Sequence, residues 1–189
     1  HHECEIAQSE AAHGKPFVGL WMHTQFLQVD GGKMSKSLGN VYSLDDLAAR
    51  GCAPLDYRFF ALRAHYRGPL NFTWEALKGA AEGRRTLADF RGRLRAAAGP
   101  ALPDAEPPPE AAEFYAALAD DLNTSAATAA LFDLRNRFLR ETWSPNEAAT
   151  ALRFLGEAGA LFGLFDPEPA TAPGGCDDAR VEALLAERL

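Results

Sequence analysis

Lys33-Met34-Ser35-Lys36-Ser37 sets two ammonium groups and two hydroxyls on one short stretch, with Asp30-Gly31-Gly32 before it and Leu38-Gly39-Asn40 after it. Little of that stretch is apolar, so it reads as a loop. Two lysines flanked by hydroxyls on a glycine-bounded loop suit work on a triphosphate. The ammonium groups can neutralise charge that builds on a leaving pyrophosphate, and the loop can close when nucleotide is present. A basic surface turn is the plain alternative, but five residues in this order rarely assemble by chance.

A second pattern is His1 and Glu5, four residues apart. On a helix both side chains would project from one face and could bind one cation. Two ligands do not make a site, since zinc ordinarily takes four, and taken alone the pair reads more simply as an exposed helix end. Cys4, Cys52 and Cys176 are far apart and odd in number, which argues against a disulfide framework and supplies no CxxC pair. The third pattern is basic. Arginines cluster over residues 84–95, with Arg84, Arg85 and Arg91, and over 135–140, with Arg135 and Arg140, in a chain whose formal net charge is −7. Net charge reports steering and solubility rather than local patches, so each cluster reads either as a phosphate-contacting face or as a solvated one.

The elements that must hold these groups are mostly helices. Residues 1–13 read as a short helix broken at Gly14-Lys15-Pro16, and the apolar run over 17–29 reads as strand chemistry ending in the Asp30-Gly31 turn. Ser43 begins a capping pattern for a helix closed by Gly51, residues 55–65 show helical spacing, and residues 67–73 read as a turn-rich connection to a cap at Thr73. One long helix over 74–98 stops at Gly99-Pro100 and a proline-rich linker. Helices over 109–120, 123–142 and 145–164 follow, the last opened by Ser144-Pro145, and their leucine and phenylalanine stripes predict a bundle core. Trp21, Phe26, Phe59, Phe60 and Trp74 are expected to pack in the core or between domains, and His23 to be a satisfied core histidine. Residues 167–175 read as a linker and 176–189 as the start of another helix. The chain opens without Met in what reads as a helix, so it is expected to be a fragment. No run approaches the roughly 20 apolar residues of a membrane span, and the polar, acidic start is no signal peptide, which points to a soluble cytoplasmic protein.

With these motifs in view, the chain resembles the cysteinyl-tRNA synthetases, a class I aminoacyl-tRNA synthetase family. KMSKS is the signature loop of that class. HHECEIAQSEA, Trp21-Met22-His23, KMSKSLGN, AHYRGPLNFT at 64–73 and DDLNTSAA at 120–127 point to the cysteine enzyme and span about two thirds of the chain in the expected order. The fold expected is mainly α: a C-terminal remnant of a Rossmann-type α/β catalytic domain over 1–66, a helical tRNA-binding bundle over 67–166, and over 167–189 a linker and the start of a truncated anticodon-binding domain.

The resemblance implies a ligase that forms cysteinyl adenylate from cysteine and ATP with Mg and passes the cysteinyl group to tRNA(Cys), and a monomer is expected. It implies that Lys33 and Lys36 are catalytic, that Lys33, Met34, Ser35, Lys36 and Ser37 contact ATP, and that Arg84, Arg85, Arg91, Arg135 and Arg140 are candidates for tRNA contact. It also implies zinc, held by His1 and Glu5 with two cysteines from sequence upstream, where the metal would favour the thiolate of cysteine over the hydroxyl of serine. Cys4 stands where the family usually has asparagine and is not expected to be a ligand. His65 and Arg67 are expected to brace a stem-contact turn. The His-Ile-Gly-His motif of a class I site is absent from the sequence, so the chain alone is not expected to form adenylate. Two alternatives remain: the mycothiol-pathway ligase, which joins cysteine to an amino sugar, and a non-catalytic RNA-binding module derived from a synthetase.

Overall fold

The computed structural model describes residues 1–99 and 106–165. The expected linker and terminal helix over 167–189 and most of the proline-rich linker lie outside the described residues. The protein is mainly α, as the helical spacing predicts. Seven helices, α1 (Glu3–His13), α2 (Leu44–Ala49), α3 (Pro54–Leu62), α4 (Trp74–Ala97), α5 (Pro109–Ala119), α6 (Thr124–Arg140) and α7 (Pro145–Phe162), accompany three short strands, β1 (Leu27–Val29), β2 (Gly32–Lys33) and β3 (Leu70–Phe72), among the described residues.

The helix starts follow from the chemistry read in the sequence. Ser43 and Ser144 each accept from the backbone N–H three residues on, at Asp46 and Glu147, whose carboxylates return to the cap N–H. Thr73 and Asn123 cap α4 and α6 in the same way without the reciprocal bond. Apolar residues spaced for one face then bury Leu77, Leu87, Phe90 and Leu94 on α4, Phe114 on α5, Leu131 and Leu134 on α6, and Leu155 on α7. The helices pack α3 on α4, α4 on α7, and α5 on α6. Gly83 lets α4 approach α3 closely, since a Cβ there would lie 3.0 Å from Phe59 Cε1.

Two carboxylate–arginine pairs fasten this packing. Asp56 at the start of α3 is 2% exposed and accepts from Arg84 Nε at 2.7 Å and from the Ala53 N–H, so it joins α3 to α4 while capping its own helix. Glu110 on α5 accepts two hydrogen bonds from Arg137 on α6, at 2.6 and 2.9 Å. The two-point match of guanidinium to carboxylate fixes direction as well as distance.

The sheet is small and has the order β2-β1-β3. β1 and β2 form a hairpin in which Val29 pairs with Gly32, leaving Asp30 and Gly31 as a two-residue loop. Both lie at positive φ, as a type I′ turn requires, and Asp-Gly is the dipeptide that tolerates it best. β3 runs parallel to β1, in the register Leu27 with Leu70 through Val29 with Phe72. Here the structure corrects two expectations. Residues 67–73 are not merely a connection but contain a strand, and of the apolar run over 17–29 only the last three residues are strand. Phe26 is 85% exposed and Trp21 40% exposed, so neither is core, whereas Phe59 and Phe60 are buried and Trp74 packs at the core's edge.

Candidate functional site

The tight hairpin delivers Lys33 at the end of β2 and launches the loop that follows it. Asn40 closes this loop: its Oδ1 accepts from the Ser35 N–H at 2.8 Å and its Nδ2 donates to the Lys33 carbonyl at 3.1 Å. Inside the ring the hydroxyls of Ser35 and Ser37 lie 2.8 Å apart in a hydrogen bond, and residues Lys36–Leu38 make one 3-10 turn ended by Gly39 at φ 66°. Met34 turns inward, half-buried against the core, while Lys33, Lys36 and Ser37 are exposed. Among the described residues neither lysine makes an ion pair. The result is a loop with an apolar foot, a polar brace and two uncommitted cations, an arrangement that can receive a polyanion.

From the base of this loop a hydrogen-bonded strap leads to the helices. Gly31 N–H donates to Asn71 Oδ1 at 2.8 Å, Asp30 N–H to the Phe72 carbonyl at 3.0 Å, and Gln25 N–H to the Tyr66 carbonyl at 2.9 Å. Beside Tyr66 the strap meets the turn between α5 and α6. The Tyr66 hydroxyl donates to Asp121 Oδ1 at 2.6 Å, Arg67 donates to both oxygens of the same carboxylate, and His65 Nε2 lies 3.9 Å from Oδ2. Bonds from Arg67 and Tyr66 hold the Asp121 carboxyl below its ordinary range, and the Tyr66 hydroxyl is raised by bonding to Asp121. Arg67, expected to brace a turn, does so across 54 residues.

At the N-terminus the helical premise for His1 fails. Glu3 begins α1, and His2 sits before it in the left-handed region at φ 64° with no side-chain cap. His1 therefore leaves the helical face. Its ring stacks on His2 with centroids 4.4 Å apart and tilts toward His23 at 5.4 Å, and it is His2 that approaches Glu5, at 3.8 Å. His23 is exposed in this stack with Trp21 rather than buried in core. Among the described residues no three His, Cys, Asp or Glu side chains converge as a metal would require, and His1 with Glu5 supplies half of a tetrahedral set. These residues do not by themselves fit zinc.

The arginines divide. Arg84 is turned inward onto Asp56 with 12% of its side chain exposed, which removes it from the RNA candidates. Arg91 lays its guanidinium 4.8 Å over the Phe165 ring. Arg140 shares a groove with Glu113, Asp133 and Glu141, an acidic setting for a phosphate contact. Arg85 is exposed, and Arg135 lines a groove between α4 and α6 with Arg93 and one acid, Asp89.

Comparison with known proteins decides the family. Residues 1–82 match the family model for the class I (C) tRNA synthetase catalytic domain, and residues 113–166 match that for the DALR domain. The chain is 42% identical over 192 residues to the cysteine–tRNA ligase of Methylobacillus flagellatus, covering all of this chain and 41% of that protein. It is 41% identical over 199 residues to that of Azotobacter vinelandii, again over all of this chain and 41% of the relative. With that of Aromatoleum aromaticum it is 45% identical over 171 residues, 90% of this chain and 35% of the relative. The chain belongs to the cysteinyl-tRNA synthetase family. It spans about two fifths of the length of the first two of these relatives.

Asn40, Asn71 and Asp121 do this structural work without standing out in the sequence. The signals were present: Asn40 ends KMSKSLGN, and DDLNTSAA holds an acid with no helical face to explain it. No helix among the described residues is long and apolar enough to cross a membrane.

Proposed function

We propose that this chain is the part of a cysteine–tRNA ligase that carries the ATP-contacting loop and a tRNA-contacting helical region. In the whole enzyme a carboxylate oxygen of cysteine attacks the α-phosphorus of Mg-bound ATP. The bond to the bridging oxygen breaks and pyrophosphate leaves; a hydroxyl of the terminal ribose of tRNA(Cys) then attacks the cysteinyl carbonyl, and AMP leaves. Lys36 is the first contact to the triphosphate and Lys33 a supporting one. Ser35 and Ser37 hold the loop's shape, and Met34 anchors it.

The observation that carries this reading is the pinned loop with two uncommitted lysines, since a cation already paired would have little charge to offer a leaving pyrophosphate. Residues 1–66 are read as catalytic-domain sequence and 67–166 as the tRNA-contacting bundle. Arg85 and Arg135 are the foremost RNA contacts, with Arg91 and Arg140 behind them. Zinc needs two donors beyond His1 and Glu5, and no step proposed here runs through it. The enzyme is taken to act as a monomer in the cytoplasm, where tRNA charging is required.

The test is Lys36→Ala in the chain joined to the N-terminal part its relatives carry. Cysteine-dependent pyrophosphate exchange should fall roughly a hundredfold, with cysteine binding little changed, as expected for loss of one preorganised contact to developing charge. An unchanged exchange rate would remove Lys36 from the site. Failure of the unsubstituted protein to exchange at all would favour the non-catalytic module.

A further inference from the structure

The geometry points to Asp121 as a positioning residue that holds the helical region in register with the strap bearing the KMSKS loop, an inference that rests on the function proposed above. Three observations carry it. First, one carboxylate gathers Tyr66 Oη, two nitrogens of Arg67 and, more distantly, His65, all from the turn just before β3. Second, the backbone that carries it is fixed at both sides: Asp121 and Leu122 stand consecutively at φ 52° and 54°, and the Leu122 and Asn123 N–H groups close α5 onto the Leu118 and Ala117 carbonyls. Third, the contact lies between two mechanically continuous pieces. Downstream, Asn123 caps α6, and Thr124 Oγ1 reaches the Ala64 carbonyl at 3.4 Å. Upstream, Tyr66 leads through β3 and its bonds to Gln25, Asp30 and Gly31 into the hairpin that ends at Lys33.

An isolated surface ion pair would not need to gather a tyrosine, an arginine and a histidine from one turn onto a single carboxylate. The work this cluster can do here is geometric. RNA bound along α4 and α6 must deliver its terminal ribose to an adenylate held near Lys33 and Lys36, and a rotation of the helical region about the turn before α6 would displace that end. Asp121 touches neither substrate. It sets the angle between the surface that binds tRNA and the loop that binds ATP.

The test uses Asp121→Asn in the chain joined to the N-terminal part of its relatives, because Asn keeps the shape of Asp and is comfortable at positive φ. Pyrophosphate exchange should stay within about twofold of the unsubstituted protein, while the kcat/KM for tRNA cysteinylation should fall about tenfold, toward the lower end of the range for coupling between sites. Arg67→Ala should reproduce the split, Tyr66→Phe should show it more weakly, and Arg67→Lys should recover part of the loss. Equal losses in exchange and cysteinylation, or no loss in either, would overturn the inference. Absence of exchange in the unsubstituted protein would instead overturn the functional reading, and this one with it.

Discussion

The two ends of the chain solve opposite problems. Before α3 only Val29 and Leu47 are buried hydrophobics, and α1 buries nothing, while eight large apolar side chains, Phe17, Leu20, Trp21, Met22, Phe26, Leu38, Val41 and Leu44, are exposed within 28 residues of one another. From α3 onward each helix has a buried stripe, and among the described residues the large apolar side chains left outside, Tyr115, Leu122, Leu139 and Leu161, are scattered. Scattered exposure is ordinary on a folded surface, whereas concentrated exposure marks a contact. The bundle is organised by its own sequence. The loop-bearing region is instead held by attachment to it, through β3, the Asp121 contact and the packing of α3 on α4, and it offers an apolar surface beside its two free lysines.

That contrast breaks first in the bundle core. Phe114 is fully buried, with ring centroids 5.2 Å from Phe162 and 5.5 Å from Phe154. Phe114→Ala should cost about 3–5 kcal/mol in urea unfolding, from lost transfer energy and the cavity left behind. A loss under about 1 kcal/mol would mean that the helices do not depend on one shared core. The Glu110–Arg137 pair should give a smaller, pH-dependent effect. Burial works to raise the Glu110 carboxyl, but hydrogen bonds and charge from Arg137 outweigh it, and the net shift is downward. A depressed carboxyl contributes stability that is present above its unfolded value of about 4.3 and is lost as pH falls through the lower folded value. Unfolding measured from pH 7 downward should therefore show a stability loss confined to the acid side of about pH 4. Glu110→Gln should shrink it. An equal slope in the variant would assign that loss to other carboxylates.

How much of this was legible follows from the range of the interactions involved. The caps at Ser43, Thr73 and Ser144, the Asp30-Gly31 turn and the helical stripes are written within a few residues of where they act, and the structure has them. β3 was not legible, because a three-residue parallel strand owes its existence to a partner 43 residues upstream. Phe26 reads as core or interdomain packing because apolar composition reports what could be buried, not what is there to bury it, and its exposure in this chain excludes only the first. Arg84 looked like RNA-contacting charge because a helical pattern cannot say that Asp56 waits on the neighbouring helix. In the site, the loop could be read from its residue types, but the brace supplied by Asn40 and the reach of Arg67 to Asp121 required the fold. The placement of His1 was not legible for a local reason: one left-handed residue, His2, takes it out of the helical register that a spacing of four assumes.

The smallest expected effect sharpens the contrast from the other side. Phe26 is 85% exposed, and it stands one residue before β1. Its backbone N–H is satisfied by Gln25 Oε1, a bond that does not involve the phenyl ring. Removing the ring therefore takes nothing from the core of this chain, and Phe26→Ser should change its unfolding free energy by no more than about 0.5 kcal/mol, the usual range for surface positions. The same substitution should raise the concentration at which the chain begins to self-associate, read by sedimentation, because it breaks a run of exposed apolar surface. In the chain joined to the N-terminal part of its relatives the outcome should differ: if that apolar surface is covered there, Phe26→Ser should destabilise by about 1–3 kcal/mol, the cost of exposing a buried aromatic ring. A destabilisation of that size in the 189-residue chain itself would mean that Phe26 is already covered within it, and the distinction between a self-sufficient bundle and an open loop-bearing face would fail.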